Sequence, residues 1–324
     1  MPTRGAGAVI QLVPAVRPTL YFIGVSTTQS SIMQVFPAWA GHLGIDAAIV
    51  GVDFPLRAEP ARYRAAVAFI KSDPLSCGAL VTTHKVDVFH TCRDLFDTID
   101  PVTALLDEIS CISKRGGRLI GHAKDQITSG RTLDGLLPPG HFARTGAEVF
   151  VIGAGGSAIA ITWHLMQPQR GADAPVHIVV SDRDPARLAA IRAIHAGIGG
   201  TVPVDYRLTD QPERNDAVLA QMRPGSLVVN ATGLGKDAPG SPLTDRAQFP
   251  QDGIVWELNY RGQLLFLDQA HRQAEARRLS IFDGWTYFIH GWTEVIAEVF
   301  SLAAARDPAQ VAALSGIATR VTGR

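Results

Sequence analysis

Short apolar runs alternate with longer stretches of mixed polarity along the chain, and the two spacings predict different elements. TLYFIG (19–24), AAIVGVDF (47–54) and CGALVTT (77–83) are apolar or β-branched runs of strand length. Between them, SIMQVFPAWAGHLG (31–44) and PARYRAAVAFIKSD (60–73) return apolar residues every three to four positions, the period of a helix with one buried face. KRGGRLIG (114–121) predicts a hairpin arm turned by Gly116 and Gly117. LDGLLPPGHFARTG (133–146) reads as a connection, after which the alternation resumes. EVFVIGAG, PVHIVVSD, GSLVVNAT and GIVWELNY are the strand-like runs of this second series, with GSAIAITWHLM and PARLAAIRAIH as its helices. Three helix-like stretches follow, LFLDQAHRQAEARR, GWTYFIHGWTEVIAEVFSLAAA and DPAQVAALSGIATRV.

Strands separated by helices are the rhythm of a parallel α/β protein. The expected fold is therefore α/β in two parts, 1–130 and 131–275. The C-terminal helices (276–324) are expected to pack back on the first domain. A length of 324 residues with 46% hydrophobic content suffices for two cores.

Charge and cysteine content narrow the functional classes. Thirty basic residues balance thirty acidic ones, so no overall field draws nucleic acid or an anionic membrane, and a small-molecule partner fits better. Cys77, Cys92 and Cys111 form neither a CxxC pair nor a disulfide framework, which favours a reducing cytoplasm. Gln11 and Pro14 interrupt the N-terminal MPTRGAGAVIQLVPAV before it forms a signal-peptide core. No segment has the roughly 18 consecutive apolar residues needed to span a bilayer. Monomer and homodimer both remain open.

VFVIGAGGSAIA (149–160) carries the candidate chemistry, because Gly153, Gly155 and Ala158 form a GxGxxA fingerprint between a strand and a helix. Small residues let the chain turn tightly, bring its backbone to two phosphates and pack the helix on the sheet. The free amides of Ala154, Gly155, Gly156 and Ser157 then face the pyrophosphate at the helix start. Asp182, at the end of the next strand, suits the adenosine ribose hydroxyls and repels a 2′-phosphate, favouring NAD, whereas Arg183 beside it leaves NADP possible. SDRDPARL also reads as a helix cap, with Asp182 or Asp184 before Pro185. Asn230, Ala231, Thr232 and Gly233 end another strand, where a doubly wound sheet gathers its ligand.

The order of these motifs resembles that of the shikimate/quinate dehydrogenase family over roughly residues 20 to 300. GVSTTQSSIMQVF, LVTTHK, GHAKD, NATGLG, WELNY and DGWTYFIHGW correspond in turn to the family's serine loop, lysine loop, GxNTD, NATxxG, tyrosine strand and C-terminal DG-helix. The resemblance implies an N-terminal α/β substrate domain (1–130), a Rossmann-type, doubly wound dinucleotide-binding domain (131–275), and a dehydrogenase acting on a cyclic hydroxy acid, with Lys85 and Asp125 flanking the reacting hydroxyl. A proton leaves that oxygen as hydride passes to the nicotinamide, so an acid/base must share the site with the cofactor. Ser30, Thr82, Ser110 and Tyr260 are the implied substrate contacts.

Departures from the family pattern bear on the substrate. Ile32 stands where a second serine is expected, Leu80 and Ala123 replace asparagines, and Gly291 replaces a glutamine. Losing one bond to a charged carboxylate costs roughly 1.5–3 kcal/mol, enough to change which ring alcohol is preferred. Another hydroxylated ring, or a non-catalytic metabolite sensor, is the alternative. Lys124 could supply a replacement cation or face water. His84, His122 and His290 lie near the three motifs but lack metal-ligand spacing, and no metal is expected.

Overall fold

The computed structural model describes residues 12–236 and 238–324, so the reading of the N-terminal stretch lies largely outside the described residues. The chain divides into two compact units, one extending to Ala123 and including Val295–Arg324, the other Lys124–Glu294. These boundaries differ by several residues from 130/131 and by about a helix from 275/276.

In the first unit, β1 (Thr19–Gly24), β2 (Ala48–Asp53), β3 (Ser76–Val81), β4 (Thr98–Ile99), β5 (Cys111–Arg115) and β6 (Arg118–His122) form one sheet, ordered β2-β1-β3-β5-β6-β4. β1 pairs in parallel with both β2 and β3, while β5 runs antiparallel to β3 and β6. The helices α1 (Ile32–Leu43), α2 (Pro60–Ser72), α3 (Lys85–Cys92) and α4 (Pro101–Leu106) connect these strands. Tyr21, Ile23, Val67, Ile70, Phe89 and Ile112 belong to the core of this unit. Gly116 and Gly117 close the β5–β6 hairpin with φ of 55° and 78°, the pair of left-handed conformations that a two-residue type I′ turn requires.

The second unit contains α5 (Asp125–Leu136), α6 (His141–Thr145), β7 (Val149–Ile152), α7 (Gly156–Leu165), β8 (Ile178–Asp182), α8 (Pro185–Ile198), β9 (Val204–Leu208), α9 (Pro212–Leu219) and β10 (Leu227–Asn230). It continues through β11 (Ile254–Glu257), α10 (Leu265–His271), α11 (Ala274–Arg277), β12 (Ser280–Phe282) and α12 (Trp285–Val299), the last turn of which belongs to the first unit. The strands pair in parallel in the order β12-β11-β10-β7-β8-β9. Chain order reverses on either side of β7, the topological switch point where a doubly wound sheet binds its ligand. β7 and β10 are buried throughout, as central parallel strands covered on both faces are.

α13 (Pro308–Thr322) returns to the first unit, where the buried Trp39 indole of α1 donates to Leu314 O at 2.8 Å. The stretch 265–278 is two helices rather than one, broken at Arg272 and Gln273. α5 occupies the residues before and into the expected connection, and β9, α9 and β12 were not among the expected elements. No helix among the described residues is long and apolar enough to cross a membrane.

Candidate active site

The glycine-rich turn is built from the second unit's sheet outward. Gly153 leaves β7 at φ 109°, its N–H donating to Ser181 O at 2.7 Å, and a Cβ there would lie 2.8 Å from Ala231 O. The turn therefore passes so close to the chain leaving β10 that no side chain fits. Gly153→Ala is expected to cost about 1–3 kcal/mol through the positive φ and this backbone overlap. Urea unfolding checks this, and a variant as stable as wild type would remove the close-approach argument. A Cβ on Gly155, by contrast, would meet nothing within 4 Å, so that backbone face is open to a phosphate at the start of α7. Ala158 is fully buried where α7 packs on the sheet, and Gly156 and Ser157 are half-buried at its first turn. These residues fit a dinucleotide.

Asp182 at the end of β8 accepts from Ala154 N (2.8 Å, Oδ2) and Asp184 N (2.9 Å, Oδ1). Its carboxylate thus ties the glycine-rich turn to the neighbouring strand. Asp184 is the cap of α8, accepting from Ala186 N at 2.9 Å with Pro185 following, so the cap that the sequence allowed on either acid falls to Asp184. Arg183 between them is exposed.

At the end of β10, buried Asn230 donates to Glu257 Oε2 at 2.5 Å and accepts at Oδ1 from Thr232 N (3.1 Å) and Thr232 Oγ1 (2.7 Å). Glu257 closes β11 and also accepts from Asn259 N at 2.7 Å, which fixes the backbone through Ala231, Thr232 and Gly233 beside the glycine-rich turn. Burial raises the Glu257 carboxyl to about 7, against hydrogen bonds from Asn259 and Asn230 that pull it down. Tyr260 follows in an aromatic group, 4.7 Å from the Phe288 ring and 5.5 Å from that of Trp285.

Asp125 is the first residue of α5, where a carboxylate meets the positive end of the helix dipole. Tyr287 of α12 donates its hydroxyl to Asp125 Oδ2 at 3.0 Å. Lys124 is turned to Glu294 Oε1 at 3.7 Å, with its side chain 13% exposed, rather than to water. Arg131 lies 3.0 Å from the same buried glutamate.

In the first unit, Ser30 is buried at the end of the turn after β1, its N–H donating to Thr27 O at 2.9 Å. Thr27 in turn donates to Asp53 Oδ1 through its N–H (2.7 Å) and its hydroxyl (2.5 Å). Ile32 is the first residue of α1 and fully buried. Thr82, half-buried just past β3, donates its N–H to Ile23 O at 3.0 Å. Lys85 opens α3 half-buried, and its carbonyl accepts from Ile109 N at 3.1 Å. Ser110 is buried at the start of β5, bonded through its backbone to Val81 and His122.

The three histidines have separate partners. His84 bonds Tyr63 Oη (2.9 Å) and Phe54 O (3.1 Å), His122 bonds Ser113 Oγ (2.9 Å), and His290 lies 3.5 Å from Thr132 Oγ1. Among the described residues no group of three His, Cys, Asp or Glu side chains is placed to hold a metal. Glu257 and Tyr287 were not singled out from sequence. Each lies inside a motif read for another residue, Tyr260 and Gly291 respectively.

No family model matches the chain. Shikimate dehydrogenase (NADP(+)) of Anaeromyxobacter sp. (strain Fw109-5) is 30% identical to it over 268 residues, which is 82% of this chain and 85% of that protein. The chain belongs to the shikimate dehydrogenase family. It is an oxidoreductase acting on a CH–OH group with a nicotinamide dinucleotide, NAD or NADP. The protein of the same name from Methylocella silvestris (strain DSM 15510 / CIP 108128 / LMG 27833 / NCIMB 13906 / BL2) is 28% identical over 290 residues, 89% of this chain and 92% of that protein. A shared fold is seen in quinate dehydrogenase from Corynebacterium glutamicum in complex with NAD, with a TM-score of 0.68 at 20% identity over 93% of this chain and 98% of that one.

Proposed function

We propose that the chain catalyses reversible, NAD-linked oxidation of a ring secondary hydroxyl on a small cyclic polyol carboxylate. The observation that carries this reading is the GxGxxA turn at the switch point of the second sheet, bonded through Ala154 N to an acid, Asp182, at the end of the next strand. Gly153, Ala154, Gly155, Gly156, Ser157 and Ala158 would hold the pyrophosphate, and Asn230, Ala231, Thr232 and Gly233 would line the nicotinamide side. The bound nicotinamide supplies the hydride acceptor. Lys85 takes the hydroxyl proton at Nζ, and Asp125 orients that hydroxyl, as their places in the family's motifs imply. Ser30, Thr82, Ser110 and Tyr260 are the proposed substrate contacts.

NAD is favoured over NADP because Asp182 and Asp184 set two carboxylates at the end of β8, where a 2′-phosphate would meet like charge. Arg183 and the NADP(+) in the names of the relatives speak for the other cofactor. A different ring alcohol is the second reading, favoured by Ile32, which is buried in the position of the second serine.

Following the reduced cofactor with shikimate and quinate tests both levels. Wild type is expected to turn over at least one acid with a higher kcat/KM for NAD, and Asp182→Ala is expected to lower the NAD-to-NADP ratio about tenfold or more, roughly one lost charged hydrogen bond. Absence of turnover on both acids with both cofactors would overturn the function. An unchanged ratio would overturn only the selector role.

A further inference from the structure

Asp125 and Tyr287 stand 162 positions apart in sequence, yet the Tyr287 hydroxyl donates to Asp125 Oδ2 at 3.0 Å. We propose that Tyr287 is a positioning residue for Asp125 in the hydride-transfer reaction, a role that rests on Asp125 acting as assigned above. A carboxylate at the first position of a helix can turn about χ1 and χ2, and a phenol bonded to one oxygen narrows that range. The phenol is itself fixed. Its ring meets the fully buried Trp256 indole edge to face, with centroids 5.7 Å apart at 83°.

The other polar groups facing one another from α5 and α12 have different engagements. Arg131 and Lys124 converge on buried Glu294, and His290 lies against Thr132. Lys124, the cation next in sequence to Asp125, is thus drawn to Glu294. Gly291, one turn beyond Tyr287, adds to the arrangement. Side chains on a helix lean toward its N-terminus, so a side chain at 291 would cover the turn that carries the phenol. Glycine leaves that turn uncovered, and a Cβ there would meet nothing within 4 Å.

A tyrosine hydroxyl donates one hydrogen bond, and the carboxylate oxygen that accepts it is held in one direction. The phenol hydroxyl thus sets the direction from which Asp125 meets the reacting hydroxyl. Tyr287→Phe removes only the O–H and keeps the ring on Trp256. With shikimate and quinate as probes, it is expected to lower kcat by about 10- to 100-fold, the scale of a misplaced catalytic group. The KM for the dinucleotide should not move. Combined with Asp125→Asn it should add little further loss, because both changes act through one carboxylate.

A Tyr287→Phe enzyme within twofold of wild type, or losses that multiply in the double variant, would overturn the positioning role while leaving the proposed reaction intact. A fully active Asp125→Asn enzyme, or a wild type inert on both acids, would instead overturn the reading on which the role rests, and the role with it.

Discussion

Lys85→Met is expected to lower kcat/KM for the ring alcohol by about 10²–10⁴-fold, the usual contribution of a general acid/base, while changing the unfolding free energy by no more than about 0.5 kcal/mol. The expectation follows from how the residue is held. Its backbone is fixed independently of the ammonium group, because Lys85 O accepts from Ile109 N and the preceding His84 is anchored to Tyr63 and Phe54 in the core. Burial holds the His84 imidazole below its ordinary value, so it serves as a neutral hydrogen-bonding strut at the helix start. Methionine keeps the aliphatic stem of a half-buried side chain. Helix electrostatics give no reason for a lysine here, since the first position of α3 prefers an anion. The expected loss of rate rests on the role in proton transfer proposed for the amine. Steady-state rates beside urea unfolding separate the two effects, and a Met variant within tenfold of wild type would exclude Lys85 from proton transfer.

What the sequence disclosed and what it concealed follow from how each signal arises. β1, β3, β7 and β10 were legible because strands buried on both faces must be apolar runs. The spatial order of these strands, and with it the switch point, came only from the sheet pairing. β9 was not legible, because Val204–Leu208 lies at the sheet edge, partly to fully exposed, and alternates too weakly to stand out. α5 was hidden differently. Its buried face includes Thr128, Ser129 and Thr132, whose hydroxyls bond back to Asp125 O and Thr128 O, so it shows no apolar stripe. Lys124 left two options open, and its approach to Glu294 is neither of them. Tyr287 left no trace, since local spacing cannot report a pair formed across 162 positions.

Glu257 should make the protein lose stability as pH rises, by up to about 3 kcal/mol between about pH 4.5 and 7. The sign follows from the direction of the shift. Burial lifts the carboxyl from 4.5 to about 7, so the folded state holds a proton that the unfolded chain has released. The associated stability is complete below the unfolded value and is lost as pH climbs through the folded one. A simple melting profile would conceal this, because His195 acts in the opposite sense. Burial lowers that imidazole from 6.5 to about 4, so its contribution is present above 6.5 and lost as pH falls toward 4. The measurement is therefore the difference in unfolding free energy between wild type and Glu257→Gln across this range, in which His195 cancels. Glutamine turns one acceptor into a donor facing Asn230 Nδ2, a cost that does not vary with pH. The difference should move in favour of the variant from pH 4.5 to about 7 and level off above it. A flat difference would mean that Glu257 ionises as readily folded as unfolded. In that case Asn230 and Asn259, rather than a retained proton, would satisfy it, and the loop after β10 would be held equally well at every pH.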